Sequence, residues 1–210
     1  LRHPVTVTCA GRTDAGVHAR RQVVSFDADA DRLDAASLAR SLNRMLADDM
    51  AVERVAAVPD DFDARFSCTG RTYRYHVLDR PVGDPLLRNL TWHVPAVLDV
   101  AAMQQACDQI VGRHDFTSFS KRNRSRPDES FVREVRRADW TRRGEIVRFE
   151  ITANAFTHQM VRSLVGALVE VGRGRRRAVD LGAMLRARRR DAPPSPAPPH
   201  GLVLWRAHYG

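Results

Sequence analysis

The chain has 210 residues, of which 43% are hydrophobic and 28% are charged, the composition of an ordinary globular protein rather than a disordered or fibrous one. No apolar run approaches the roughly 20 residues that cross a bilayer, and no leader pattern is visible, so we expect neither a membrane protein nor an exported one. The 34 basic and 25 acidic residues give a formal net charge of +9, which favours a polyanionic partner.

The basic residues are concentrated in three tracts, which favours nucleic acid over an acidic membrane surface as the polyanion. The tracts are "KRNRSR" (121–126), "GRGRRR" (172–177) and "RARRR" (186–190). For composition alone, an arginine-rich set of solvated surface charges is an equally good explanation.

Three cysteines, Cys9, Cys68 and Cys107, lie far apart in the chain. Their odd number and their spacing match neither a disulfide framework nor a metal site. We therefore expect reduced thiols in a cytoplasmic protein.

The first segment of the chain has the pattern β-β-α-β. "VTVTC" (5–9) alternates as a half-buried strand, and "QVVSF" (22–26) is its expected antiparallel neighbour. Apolar residues at helical spacing then predict a helix over 34–48, with Asp34 as its N-cap. "AVERVAAV" (51–58) is predicted to be the closing strand.

The second segment follows the same two periodicities. It contains a strand over 71–78, a helix capped by Asp99, a hairpin of strands over 131–140 and 145–153, a helix over 155–171, a short helix near 180–189 and a last strand over 202–209. Helices laid on antiparallel strands predict an α+β protein. We expect two subdomains, 1–66 and 67–210.

The stretch "CAGRTDAGVHARRQVVSF" (9–26) places one acid, Asp14, between Gly11 and Gly16 at the end of a strand. The glycines permit a sharp backbone path that lifts the carboxylate out of the strand register. The alternative is an Asx-turn, in which Asp14 only hydrogen-bonds its own loop.

Five blocks of the sequence, in order, resemble the TruA-type tRNA pseudouridine synthases. They are "AGRTDAGVHA" (10–19), "VPDDFDARFS" (58–67), "RTYRYHV" (71–77), "GRHDFTSF" (112–119) and "ITANAFTHQMVRSLVGALVEVG" (151–172). The resemblance implies two ferredoxin-like, RRM-resembling subdomains whose sheets join side by side around a basic cleft. It also implies a cytoplasmic homodimer that binds tRNA.

The activity implied by the resemblance is isomerisation of uridine to pseudouridine at positions 38–40 of the tRNA anticodon stem-loop. The N1–C1′ bond breaks and C5 bonds to C1′, so no cofactor is required. In this family the Asp of the first block is the catalytic carboxylate, which falls on Asp14 and can serve as a covalent nucleophile. Attack on C1′, attack on C6 and assistance of glycal formation all remain open.

The resemblance also assigns four residues around this aspartate. Arg162 is expected to pair with Asp14, and the hydroxyl of Tyr73 to relay the proton lost from C5 while its ring stacks on the uracil. Arg12 is expected to occupy the space that the extruded base vacates, and His158 to contact the substrate. The non-catalytic alternatives are that Arg162 faces solvent, that Tyr73 is a core residue and that Arg12 is an ordinary surface residue.

The predicted helix over 155–171 places His158 one turn before Arg162 and Gly166 one turn after it. A glycine there costs a helix about 1 kcal/mol relative to alanine, which close approach of a partner explains better than chance. His18, His158 and Asp14 are also conceivable metal ligands, but no metal-binding spacing is present, so we expect no metal and assign His18 to loop orientation.

Two other functions stay open at this point: a non-catalytic RNA-binding module with a damaged first domain, and a metal-dependent nuclease. The family pattern also includes a strand with a Tyr-Asp-Gly motif, a Gly-Trp-Gln motif and a helix before the first matching block. These are not found in this sequence, so we expect the first subdomain to be N-terminally truncated.

Overall fold

A computed structural model describes residues 4–29, 33–121, 130–189 and 194–210. The chain forms two compact units: the first comprises Leu1–Ala10 and Val23–Ser67, and the second comprises Gly11–Gln22 and Cys68–Gly210. The aspartate loop thus groups with the second unit, whereas the sequence had placed it in the first subdomain. The subdomain bounds 1–66 and 67–210 stay a prediction.

The first unit contains two short strands and one helix in its described part. β1 (Thr8–Cys9) and β3 (Val24–Ser25) pair antiparallel, as predicted, although both are shorter than expected. α1 (Ala35–Met45) begins after Asp34, whose carboxylate accepts hydrogen bonds from two backbone amides, so the predicted N-cap is confirmed.

One prediction for the first unit was wrong. Residues 51–58 are not assigned to a strand, and the backbone N–H and C=O of Val52 hydrogen-bond to the side chain of Asn43. The apolar stripe of α1 faces no core: the helix has no buried residue, and Met45 is 83% exposed. Helical periodicity specifies a face but not what covers it.

The second unit is built on a sheet of seven described strands, which are β2 (His18–Ala19), β4 (Cys68–Asp79), β5 (Trp92–Val94), β6 (Gly112–Asp115), β7 (Val132–Arg143), β8 (Ile146–Ala153) and β9 (Leu202–Tyr209). Their order is β2-β9-β4-β8-β7-β6, with β5 beside β4. All neighbours are antiparallel except β2 with β9 and β5 with β4. The predicted hairpin and last strand are confirmed, whereas β2, β5 and β6 are too short for periodicity to reveal.

Three α-helices and two 3₁₀ turns complete the described part of the second unit. The helices are α2 (Val100–Cys107), α3 (Met160–Gly172) and α4 (Asp180–Ala187), and the turns are Thr117–Phe119 and Pro199–Gly201. α2 and α3 contribute to a continuous core with alternate side chains of the central strands. Members of this core include Tyr75, Phe149, Ile151, Leu164 and Leu168. The predicted α+β class is therefore confirmed. No helix in the described ranges is long and apolar enough to cross a membrane.

The start of α3 corrects the predicted helix over 155–171. Gln159 has the left-handed backbone conformation, with φ 62°, and the helix begins only at Met160. His158 therefore lies in the segment before the helix and not on it. The apolar residues keep their helical spacing across Gln159, so periodicity alone does not reveal the left-handed residue that delays the start of the helix.

Candidate active site

The loop that carries Asp14 is anchored at its far end by the sheet of the second unit. His18 and Ala19 pair in parallel with Val203 and Leu204 of β9. Within the loop, the Val17 amide donates to the Asp14 carbonyl at 3.0 Å, and the turn passes through Gly16 at φ 80°. A positive φ of this size favours glycine, so Gly16 supports the sharp path expected from the sequence.

Asp14 faces the α3 helix rather than its own bend. Arg162 Nη1 donates to Asp14 Oδ2 at 2.7 Å, and His158 Nε2 lies 3.5 Å from Asp14 Oδ1. The side chain of Arg162 is 13% exposed and that of Asp14 is 28% exposed. The predicted ion pair is confirmed, and a solvent-facing Arg162 is wrong. The site is therefore partly shielded while the carboxylate keeps access to solvent.

Arg162 is also bonded to the proline-rich segment that precedes β9. Its Nε donates to the Ala197 carbonyl at 2.7 Å, and the Ala197 amide donates to the Arg162 carbonyl at 2.9 Å. A Cβ placed on Gly166 would lie 2.1 Å from the Ser195 carbonyl oxygen. The close approach predicted for Gly166 is confirmed, and its partner is the main chain.

Tyr73 lies on β4, is 7% exposed and packs edge-to-face against Phe156 with ring centroids 5.1 Å apart. Its hydroxyl points toward the aspartate loop, because a Cβ placed on Gly11 would lie 3.8 Å from the hydroxyl oxygen. The structure thus brings Tyr73 to the loop through its hydroxyl, with most of the ring buried.

Two further residues of the loop, Arg12 and His18, lie on either side of Asp14 in sequence. Arg12 is exposed two residues before Asp14. His18 Nε2 is 2.7 Å from the Asn89 carbonyl oxygen, a contact that ties the loop to residues after β4. This contact fits the loop-orienting role expected for His18.

The neighbouring Tyr75 is completely buried. Its hydroxyl donates to the Pro198 carbonyl at 2.8 Å. Burial raises the pKa of Tyr75 far above its usual value, against a smaller opposing effect of the Arg162 charge. The hydroxyl therefore stays protonated and acts as a donor.

The basic tracts are only partly described. In the tract over 172–177, Arg173 and Arg175 approach Glu170, and Arg177 pairs with Asp180. These two acids offset part of the charge of the four arginines in this tract. Of the tract over 121–126 only Lys121 lies among the described residues, and the last residue of the tract over 186–190 lies outside them. In the described ranges, no three His, Cys, Asp or Glu residues form a group able to hold a metal ion.

Comparison with known proteins shows the family of the chain. A family model described as tRNA pseudouridine synthase matches residues 2–67 and 106–210. The tRNA pseudouridine synthase A of Chromobacterium violaceum is 43% identical over 98% of this chain and 77% of its own length. Those of Halalkalibacterium halodurans and an Exiguobacterium species are 42% and 38% identical, covering 97% and 99% of this chain and 76% and 82% of their own lengths.

The chain belongs to the tRNA pseudouridine synthase family. It is accordingly an enzyme of the isomerase class, which the sequence resemblance had predicted and which sets aside the non-catalytic and nuclease alternatives. In this chain, Asp14 and Arg162 are hydrogen-bonded to one another.

Sequence reasoning missed the residues that hold this pair in place. Ala197, Asn89 and the hydroxyl of Tyr75 all act through main-chain contacts. Such contacts leave little trace in side-chain identity. The one available signal was Gly166, whose cost to the helix indicated a close neighbour without naming it.

Proposed function

We propose that this chain converts uridine to pseudouridine in tRNA, at positions 38–40 of the anticodon stem-loop, with Asp14 as the catalytic nucleophile. The observation that carries the proposal is the 2.7 Å contact between Arg162 Nη1 and Asp14 Oδ2 in a chain of this family. A carboxylate that is partly shielded, charge-compensated and still 28% exposed is suited to react with an extruded nucleoside.

The reaction is an isomerisation, so its atoms and electrons balance without a co-reactant. A covalent bond from the Asp14 carboxylate to the uridine divides one difficult step into two, and attack on C1′ or on C6 gives the same net change. The N1–C1′ bond breaks, the base turns, C5 bonds to C1′, the C5 proton leaves and N1 gains a proton. Because Arg162 holds Oδ2, we assign the attack to Oδ1.

Three further residues serve the same step in this proposal. The Tyr73 hydroxyl, which lies toward the loop, takes part in removing the C5 proton. Exposed Arg12 enters the RNA where the base has left the stack and meets phosphate. His158, 3.5 Å from Asp14 Oδ1, lies where the substrate must approach and contacts it.

The assembly and compartment belong to the same proposal. We expect a homodimer, as the family resemblance implies, and a cytoplasmic location. Three free thiols, Cys9, Cys68 and Cys107, are consistent with a reducing compartment. Sedimentation equilibrium tests the dimer.

The activity is tested by release of tritium from tRNA labelled at C5 of uridine. The wild-type protein should release tritium and Asp14→Asn should release none while still binding tRNA, because the amide is not a nucleophile of this kind. Asp34→Asn, which changes the exposed N-cap of α1 and no residue of the proposed site, is the matched control and should keep the activity. A wild-type protein that binds tRNA without releasing tritium would overturn the proposal.

The position is tested with the same assay on transcripts in which uridines 38–40 are replaced by cytidine. Tritium release should disappear with these transcripts and return when one uridine of the three is restored. Release that persists after the replacement would place the modified uridine elsewhere in the tRNA.

A further inference from the structure

We propose that residues 194–198, the proline-rich segment before β9, are a positioning element that orients Arg162 toward Asp14 through the main chain of Ala197. The inference rests on the proposed function, since it assigns the guanidinium of that site a supporting structure. It adds Gly166 and Tyr75 to the residues on which the reaction depends, although neither touches the carboxylate.

The segment holds Arg162 at two points, backbone and side chain. The Ala197 amide donates to the Arg162 carbonyl, and the Ala197 carbonyl accepts from Arg162 Nε. A guanidinium is planar, so fixing the direction of Nε also fixes the direction of Nη1. An arginine side chain has many rotamers in solution, and this second anchor removes much of that freedom before the substrate arrives.

The local sequence allows only a few residues of the segment to make such a contact. Pro194, Pro196 and Pro198 alternate with Ser195 and Ala197, and a proline has no backbone N–H. Ala197 lies between two prolines, and its backbone N–H is the group that donates to the Arg162 carbonyl of α3. The prolines also keep the chain extended and stiff, so the Ala197 carbonyl is presented in a defined direction.

Gly166 permits the segment to lie against α3. It follows Arg162 by one turn, and its Cβ would lie 2.1 Å from the Ser195 carbonyl oxygen and 3.5 Å from the Ala197 nitrogen. The atoms in conflict belong to the main chain and cannot swing aside as a side-chain end can. An alanine here must displace residues 195–197 and with them the carbonyl that holds Arg162 Nε.

Tyr75 holds the segment from the sheet side. Its fully buried hydroxyl donates to the Pro198 carbonyl at 2.8 Å. Its ring packs beneath Gly201, where an added Cβ would lie 2.7 Å from two ring carbons. The segment is thus clamped between β4 and α3, one residue away from the atom that orients Arg162.

The kinetic test compares alanine at two glycines of the same helix. Gly166→Ala should slow single-turnover tritium release at saturating tRNA by about tenfold or more, which is about 1.4 kcal/mol of activation free energy per factor of ten, with tRNA affinity unchanged. Gly172→Ala is the matched control, because its Cβ meets the flexible end of Met103, 2.5 Å from the sulfur. Thermal unfolding of both variants measures the structural damage separately.

A second variant and a spectroscopic readout cover the case in which Gly166→Ala does not fold. Tyr75→Phe removes one hydroxyl and keeps the ring, and it should also slow turnover without weakening tRNA binding. In nitrogen-15 NMR spectra of the arginine Nε–H groups, the Arg162 signal, assigned by its loss in Arg162→Lys, should be protected from solvent exchange in the wild type and lose that protection in both variants.

The outcomes separate this inference from the proposed function. Turnover at the wild-type rate in Gly166→Ala and Tyr75→Phe, or equal losses in Gly166→Ala and Gly172→Ala, would overturn the positioning role. A wild-type protein without activity would overturn the proposed function alone, because the exchange of the Arg162 Nε–H still decides whether the segment orients the guanidinium.

Discussion

Asp14 and Arg162 are 148 residues apart in sequence, and their side chains meet at 2.7 Å. The contact joins a glycine-bounded loop to the first turn of α3, which has more buried residues than any other described helix. Arg162 reaches the carboxylate with one nitrogen of its fork and a main-chain carbonyl with another.

Arg162→Lys should lower the turnover number by about tenfold or more, because one ammonium group cannot span the carbonyl and the carboxylate as a planar fork does. Arg80→Lys is the matched control, since Arg80 likewise bridges the Val82 carbonyl and the Glu145 carboxylate at 2.7 and 2.6 Å. The control should keep wild-type turnover. Equal activity of the two variants in the tritium assay would show that the fork geometry of Arg162 has no role.

Tyr73→Phe should reduce turnover by roughly 10²-fold or more if its hydroxyl removes the C5 proton, since positioned acid–base groups contribute factors of that order. The ring and its packing on Phe156 remain, so tRNA affinity and unfolding temperature should change little. Tyr209→Phe, at the end of β9, is the matched hydroxyl deletion and should leave turnover intact. A fully active Tyr73→Phe would make the residue a core tyrosine only.

Arg12→Ala should weaken tRNA binding and reduce the slope of log affinity against log salt by about 0.7 to 0.9, the value for one lost phosphate contact. Arg12→Lys keeps the charge, so the salt slope should stay while turnover falls if the guanidinium must fill the vacated stack. Binding isotherms at several salt concentrations separate the two effects. An unchanged slope in Arg12→Ala would remove the residue from the RNA contact.

Two partly buried histidines of the sheet predict a loss of stability in mild acid. Burial, followed by the charges of Arg148 and Arg74, lowers the pKa of His76 below its usual 6.5. Burial, followed by Arg206 and Arg136, lowers the pKa of His208 in the same direction. The unfolded chain therefore binds protons near pH 6.5 that the folded chain does not, so the free energy of unfolding falls as pH drops below that value.

Denaturant unfolding between about pH 7.5 and pH 5.5 measures this effect, and His76→Gln with His208→Gln should flatten it. Asp180→Asn is the control: the pKa of Asp180 is lowered from 3.8, first by its hydrogen bonds with Arg177, so its contribution is lost only in stronger acid. A pH slope that survives removal of both histidines would assign it to other groups.

Much of the fold was accessible from the sequence, and the reason is local. The long strands β4, β7, β8 and β9 and the caps Asp34 and Asp99 follow from alternation and from side chains that satisfy their own neighbours. Short strands and the expected strand over 51–58 depended on which backbone lies alongside. Pairing is a non-local property, and periodicity does not carry it.

The candidate site divides in the same way. The sequence by itself determined which groups were available, namely a carboxylate between glycines, an arginine interrupting an apolar helix, and a glycine that must have a close neighbour. Only the tertiary structure decided that Ser195 and Ala197 are that neighbour and that the Ala197 carbonyl aims Arg162 at Asp14. The physical reason is that main-chain carbonyls and amides are the same for every residue type except proline, so their contacts become visible only when distant segments pack together.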